Sequence, residues 1–153
     1  VDRRQRQMCI RDRFTDNLSG SIGISLNDGE DEDGPLNSIS PYNAKIGLSW
    51  LSDSGKFRWN TISTLMKSSW DNPDPVCGRS GQCVPAQTTS GRLSIDSFMS
   101  YNVKEKVNLR LGIRNLTDVK YWDYPTIAGL AEGTADEYLM PGRNVSFSIR
   151  YSF

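Results

Sequence analysis

Apolar and polar residues alternate with a period of two through six segments of this chain, and that alternation makes its secondary structure β. Leu18, Gly20, Ile22, Ile24 and Leu26 share one parity, with Ser19, Ser21, Gly23 and Ser25 between them. Ala44, Ile46, Leu48 and Trp50 repeat the pattern against Lys45, Gly47 and Ser49. Further alternating runs lie at 57–66, 92–103, 107–114 and 144–153. Successive side chains of a strand point to opposite faces, so each run has one apolar and one polar face. Runs of about 9–11 residues match the length a tilted strand needs to cross a bilayer. No helical stripe competes with them.

The connections sort by length. Ser52–Lys56 and Asn102–Lys106 are short hairpin turns, whereas 27–42, 68–91 and 119–142 are long and rich in Gly, Pro, Asp and Asn. Tight turns at one end and long loops at the other are the pattern of an outer-membrane barrel. A soluble antiparallel sandwich also alternates, but its loops need not sort by length. Mean hydropathy is −0.52. No apolar run approaches the roughly 18 residues a helical span needs, and a strand span stays open. With no histidine in 153 residues, imidazole-based triads and His-ligated zinc or haem are excluded from this segment, and no enzyme is expected. A formal charge of zero gives no footprint for nucleic acid.

Residues 1–13 (VDRRQRQMCIRDR) stand apart. They hold five arginines and two aspartates, a charge of +3, against −3 for the remainder. They have no period, cap or targeting pattern, and resemble adaptor read-through at the end of a gene fragment. The expected division is therefore a non-native leader at 1–13 and a barrel segment at 14–153. The other reading of the leader is a basic arm.

Three strings carry a more specific resemblance. Asn115-Leu116-Thr117-Asp118 followed by Tyr121-Trp122 looks like a late segment of TonB-dependent outer-membrane receptors. Pro141-Gly142-Arg143-Asn144, running into Val145-Ser146 and Arg150-Tyr151-Ser152-Phe153, is similar to their final strand. Gly34-Pro35-Leu36-Asn37-Ser38-Ile39-Ser40-Pro41 resembles their proline-bearing loop before another strand. The Tyr-Trp pair, with Gly129-Leu130 and the PGRN end, most resembles the haem, haemoglobin, transferrin and lactoferrin branch.

The resemblance implies an all-β fold: the last six antiparallel strands of a plugged barrel of about 22 strands, here a partial, open sheet. It implies energised uptake of an iron carrier, haem or haemoglobin included, across a Gram-negative outer membrane. The implied partners are the TonB complex, reached through an N-terminal plug upstream, the extracellular carrier, and membrane lipid with lipopolysaccharide. No cofactor is expected in this segment, and the branch's haem-binding histidines would lie upstream. Siderophores or other TonB-dependent substrates are alternatives, as is a non-transporting pore or adhesin.

Ile149, Tyr151 and Phe153 form an aromatic-ended strand resembling the signal read by the outer-membrane assembly machinery. By parity Phe153 lies at the periplasmic rim, which makes the three long loops extracellular. Cys77 and Cys83, in CGRSGQC, lie in one exported loop, where a disulfide is expected; free thiols or metal binding are the other readings. Asp28, Glu30, Asp31, Glu32 and Asp33 read as a solvated loop tip, or as a calcium site. Trp70 and Tyr124 are candidate ligand contacts, and Trp122 is expected in the aromatic girdle. Arg58, Arg92, Asp96, Arg110, Arg114 and Arg150 fall on the polar strand faces; in a barrel they would line the lumen and pair with each other or with the plug, a charged translocation path being the other reading.

Overall fold

The computed structural model describes residues 2–31, 34–35, 42–68 and 75–152, with side chains for 6–27, 42–68 and 75–152. The long strands are β1 (Asp2–Arg13), β2 (Leu18–Asp31), β4 (Asn43–Leu51), β5 (Phe57–Met66), β8 (Arg92–Lys104), β9 (Val107–Arg114) and β10 (Asn144–Tyr151). Short strands are β3 (Gly34–Pro35), which pairs with the end of β2, and β6 (Val76–Cys77) and β7 (Cys83–Val84), which pair with each other. A helix α1 (Tyr124–Ile127) and a 3-10 turn (Asp136–Tyr138) lie between β9 and β10.

The long strands form one antiparallel sheet in the order β1-β2-β4-β5-β8-β9-β10. Sequence neighbours are therefore spatial neighbours throughout, an up-and-down meander. Each of the six alternating runs is a strand. Both lateral edges of the sheet, β1 and β10, are open among the described residues.

Register carries the alternation across the sheet. Leu48 lies opposite Gly20 and Thr61, Trp59 opposite Trp50 and Met99, and Leu111 opposite Met99 and Phe147. A one-residue slip would invert the faces, so the pattern itself fixes the pairing. One face is a continuous apolar band, and its side chains are exposed: Phe147 is 63% accessible, and Ile22, Trp50 and Tyr101 are also open. A sheet built for water would cover that face. Its polar groups are satisfied within the sheet: Trp59 Nε1 donates to Ser97 Oγ at 2.9 Å, and Thr61 Oγ1 donates to the Asp96 carbonyl at 3.0 Å. Hydrocarbon demands that, because it offers polar groups no partner. Among the described residues no helix is long and apolar enough to cross a membrane.

Residues 1–13, expected to stand apart without period, form β1 along the length of β2. Ladder bonds are made by backbone N–H and C=O and need no side-chain pattern. The mismatch shows in the faces: Arg6, Met8, Ile10 and Asp12 pair with Leu26, Ile24, Ile22 and Gly20, so two charges fall on the apolar side. β2 also runs past the expected loop start, to Asp31, where β1 and β3 supply its ladder partners. The side chains of the acidic stretch 28–33 lie outside the described residues, as do Trp70 and Phe153.

The tight turns gather at one end. Ser52–Phe57 closes with Ser52 N to Phe57 O at 2.9 Å, and Gly55 takes φ 66° there, a left-handed conformation open to glycine. The buried core is small and lies at the other end, among the long connections: Ala86, Tyr124, Ile127 and Ala135.

Candidate functional site

The two long connections at 75–91 and 119–142 join into one unit. Gln87 N donates to Leu130 O at 2.7 Å and Glu132 N to Pro85 O at 2.9 Å, flanking an antiparallel bridge between Ala86 and Ala131. Gly133 N donates to Gln87 Oε1 at 3.0 Å. Ile127 fills the centre of the unit with no exposed surface. Trp122 Nε1 reaches the Ala135 carbonyl at 2.7 Å, so this indole is tied into the loop unit. Tyr124 is 2% exposed and lies within the unit's core, not on its surface. Burial pushes its phenol above the usual value of 10.0.

Arg92, at the top of β8, anchors this unit to the sheet. Its side chain is 8% exposed; Nη1 donates to Trp122 O at 3.1 Å and Nη2 lies 3.5 Å from Asp123 Oδ1. Its guanidinium stacks 3.8 Å above the Tyr121 ring. The sequence placed Arg92 on the polar face, and the structure turns it to the loops.

Asn115-Leu116-Thr117-Asp118 acts as a latch. Asn115 and Asp118 both take positive φ, 51° and 54°, which Asn and Asp tolerate better than other non-glycine residues. Asn115 is buried, and its amide grips Val119 on both sides: Val119 N to Oδ1 at 3.1 Å, and Nδ2 to Val119 O at 2.9 Å. Its own N–H donates to Asp96 Oδ1 at 2.8 Å. Thr117 Oγ1 donates to the Leu93 carbonyl at 3.0 Å, and Leu116 N to Ile95 O at 2.7 Å. Asp118 then catches the second string: Arg143 N donates to its Oδ1 at 2.8 Å, and the Arg143 guanidinium lies 3.5 Å from Oδ2. A Cβ on Gly142 would come 3.0 Å from that carboxylate, so glycine permits the approach. Asn115 Nδ2 also reaches the Pro141 carbonyl, at 3.4 Å. The two motifs, 26 residues apart in sequence, thus close the strand ends of β9 and β10 onto each other.

Cys77 and Cys83 are joined by a disulfide across β6–β7, closing an exposed ribbon beside the unit. Ile149 and Tyr151 lie on the exposed apolar face of β10. Among the described residues no cluster of three or more His, Cys, Asp or Glu could hold a metal. The polar sheet face is basic: Lys45, Arg58, Arg110, Arg114 and Arg150 lie on it, with Asp96 the one acid among its described side chains.

Gln87, Ile127 and Ala135 complete the loop unit and were not singled out in the sequence, while Asp96, read there as a lumen-facing side chain, accepts the Asn115 N–H.

No family model matches the chain. Lactoferrin-binding protein A of Neisseria meningitidis, in serogroups A and B, is 25% identical over 130 residues, covering 77% of this chain and 14% of the relative. The copper transporter OprC superposes with a TM-score of 0.74 at 19% identity, covering 96% of this chain and 22% of that one. The fold is that of the TonB-dependent outer-membrane receptors. The ferripyoverdine receptor of the outer membrane of Pseudomonas aeruginosa agrees, with a TM-score of 0.71 at 15% identity over 96% of this chain and 19% of that receptor. The chain spans 14% of the length of the curated relatives it matches. In the barrels that share this fold, the exposed apolar band corresponds to the lipid-facing side and the basic face to the lumen. The welded loops lie at the end of the sheet opposite the tight turns.

Proposed function

We infer that this segment belongs to a receptor that takes up an iron carrier by energised transport, with haem, haemoglobin or lactoferrin-type proteins as the carrier class. The observation that carries this reading is the loop unit: two long connections welded to each other and anchored to the barrel by Arg92. A rigid outer platform suits capture of a large ligand, and the similarity to lactoferrin-binding protein A points the same way. The partners on this reading are the carrier outside, lipid and lipopolysaccharide around the band, and the TonB complex through a plug encoded upstream. A second reading, uptake of a siderophore or other small metal complex, draws on the likeness to the ferripyoverdine receptor and the copper transporter.

The decisive experiment recovers the full reading frame and deletes it from its host. Growth is then measured on haem, haemoglobin, lactoferrin or a ferric siderophore as sole iron source. Loss of growth on one carrier, reproduced when the proton-motive force is collapsed, supports energised uptake. Unchanged growth on every carrier favours a pore or adhesin.

We also take residues 1–13 as a non-native leader. Arg6 and Asp12 lie on the lipid side, where the outward positions of β4, β5, β9 and β10 carry no acid or base. A charge there costs up to about 2–4 kcal/mol. Sequencing genomic DNA across the codon for Phe14 tests this; an unbroken frame encoding VDRRQRQMCIRDR overturns it.

A further inference from the structure

Residues 76–87 change pairing partner part-way along. The first part is the β6–β7 ribbon, where Val76 lies opposite Val84 and Cys77 opposite Cys83. The ribbon turns through Gly78 N to Gln82 O at 2.8 Å and Gly81 N to Gly78 O at 3.0 Å, with Gly81 at φ 78°. β7 then runs straight into the weld: Pro85, Ala86 and Gln87 follow Val84 and meet Glu132, Ala131 and Leu130. One extended segment thus pairs with β6 first and with the 119–142 loop next. Pro85 sits at the changeover, where its ring fixes its own φ and keeps Val84 extended. Little slack separates the disulfide from the weld.

The 119–142 loop is fastened in two places. At its base, Arg92 holds Trp122 and Asp123, Asn115 grips Val119, and Asp118 accepts the Arg143 N–H. At its apex, residues 130–133, the long-range bonds among the described residues are those of the weld: Gln87 N to Leu130 O, Glu132 N to Pro85 O and Gly133 N to Gln87 Oε1. The other main-chain bonds there are local turns, Leu130 N to Ile127 O at 3.0 Å and Thr134 N to Ala131 O at 3.2 Å. Gly129 and Gly133 take φ 81° and 80° on either side of the bridge at Ala131, in backbone that glycine crosses freely. The apex is therefore held by residues 85–87.

A ribbon of two residue pairs is not stable by itself in water. The Cys77–Cys83 bond closes it into a ring and removes most of the freedom of the open chain. Both cysteines lie outside the buried core formed by Ala86, Tyr124, Ile127 and Ala135, so opening the bond removes no side chain from that core. What it frees is the chain leading into the weld.

We propose that the Cys77–Cys83 disulfide is a redox switch for the apex of the 119–142 loop. Closed, it holds residues 85–87 against the apex. Open, the ribbon melts and the weld loosens, while Arg92 and Asn115 keep the base of the loop on the sheet. A dithiol reductant drives the step. One of its thiolates attacks a bridge sulfur, and the other displaces the mixed disulfide; two electrons and two protons pass to Cys77 and Cys83, and the reductant leaves as its own disulfide. The switch is built from bonds present within these two loops, so it is independent of the carrier and of what faces the rest of the sheet.

The test is hydrogen exchange on the full-length receptor in lipid nanodiscs, before and after dithiothreitol. Iodoacetamide labelling of both cysteines in a parallel sample shows that the bridge is open. The weld donors, the amides of Gln87, Glu132 and Gly133, should exchange about fivefold faster or more once it opens, and recover when oxidised glutathione closes it again. The base donors Leu116, Val119 and Arg143 should stay within twofold. The paired substitutions Cys77→Ser and Cys83→Ser should match the reduced wild type without reductant and respond no further to dithiothreitol, which assigns the change to this bridge. Weld amides within twofold of the oxidised wild type, in both the reduced receptor and the paired variant, overturn the proposal. So does equal loosening of Leu116 and Val119, which would make the bridge a support of the whole unit, and so does a bridge that dithiothreitol leaves closed.

Discussion

Replacing Asn115 with alanine should loosen the joined loops without unfolding the sheet. The side chain makes two well-formed bonds to Val119, at 3.1 and 2.9 Å, and two longer ones to Pro141 O and Thr117 Oγ1. Counting only the two short bonds, at about 1 kcal/mol each, the loss is about 2 kcal/mol. Alanine at φ 51° adds about 1–2 kcal/mol, because its Cβ crowds the carbonyl in the left-handed region. The sum is about 3–4 kcal/mol, concentrated where β9 and β10 leave the sheet. Asn115→Gly separates the two contributions: glycine accepts the backbone angle and loses only the side-chain bonds, so it should be milder by about 1 kcal/mol. Hydrogen exchange of amides 116–140 in the full-length receptor reads this directly. Alanine should speed exchange on the order of a hundredfold or more, glycine less, while amides of β5 and β8 keep their protection. If both variants exchange within twofold of wild type, the latch does not hold the loops and the argument fails.

Three further outcomes are expected. Cys77 and Cys83 should resist alkylation in the isolated receptor until reductant is added, and Cys77→Ser should weaken carrier capture more than barrel stability, since the bridge closes a loop ribbon outside the main sheet. Tyr124 ionises above its ordinary value, so the unfolded loop gives up this proton first. Its contribution to stability is full below about pH 10 and falls as pH rises from there through the folded value; loop amides should lose protection in alkali, and Tyr124→Phe should blunt that loss. Deleting Phe153 should sharply reduce the amount of receptor inserted in the outer membrane, whereas Phe147→Ala, which trims a side chain of the lipid band, should cost at most about 3 kcal/mol and leave insertion near normal. Equal insertion of both variants would reduce Phe153 to packing.

The sheet was legible because each strand of a membrane meander carries its own evidence. The outward parity from Leu18 to Tyr151 follows from local alternation, and neighbours in sequence pair in space, so no long-range inference was needed. The joined loops were far less legible. Gln87 meets Leu130 through backbone atoms alone, and a backbone bond leaves no trace in residue type. Tyr124 read as a surface aromatic, because nothing local reveals that Ile127 and Ala135 close over the same core. Arg92 obeyed the strand parity, yet the loop beside it offered an aromatic face and a carbonyl that the lumen did not. The Asn115 string stood out only as a resemblance; its physical content, a buried amide at positive φ gripping Val119, depends on backbone angles that spelling does not carry. β1 shows the converse: pairing without pattern, legible in neither composition nor period.

The backbone weld between the two joined loops bears on how such a surface changes over generations. Replacing an exposed side chain leaves main-chain bonds in place, so a joint made of them at Gln87, Leu130, Pro85 and Glu132 tolerates most replacements there. Insertions are another matter, because one added residue on either side breaks the Ala86–Ala131 bridge. The joint is therefore free to alter its lettering while its length stays fixed. Length variation among strains should gather at the tip of the disulfide ribbon, around Arg79 to Gln82, where the chain turns outside the weld.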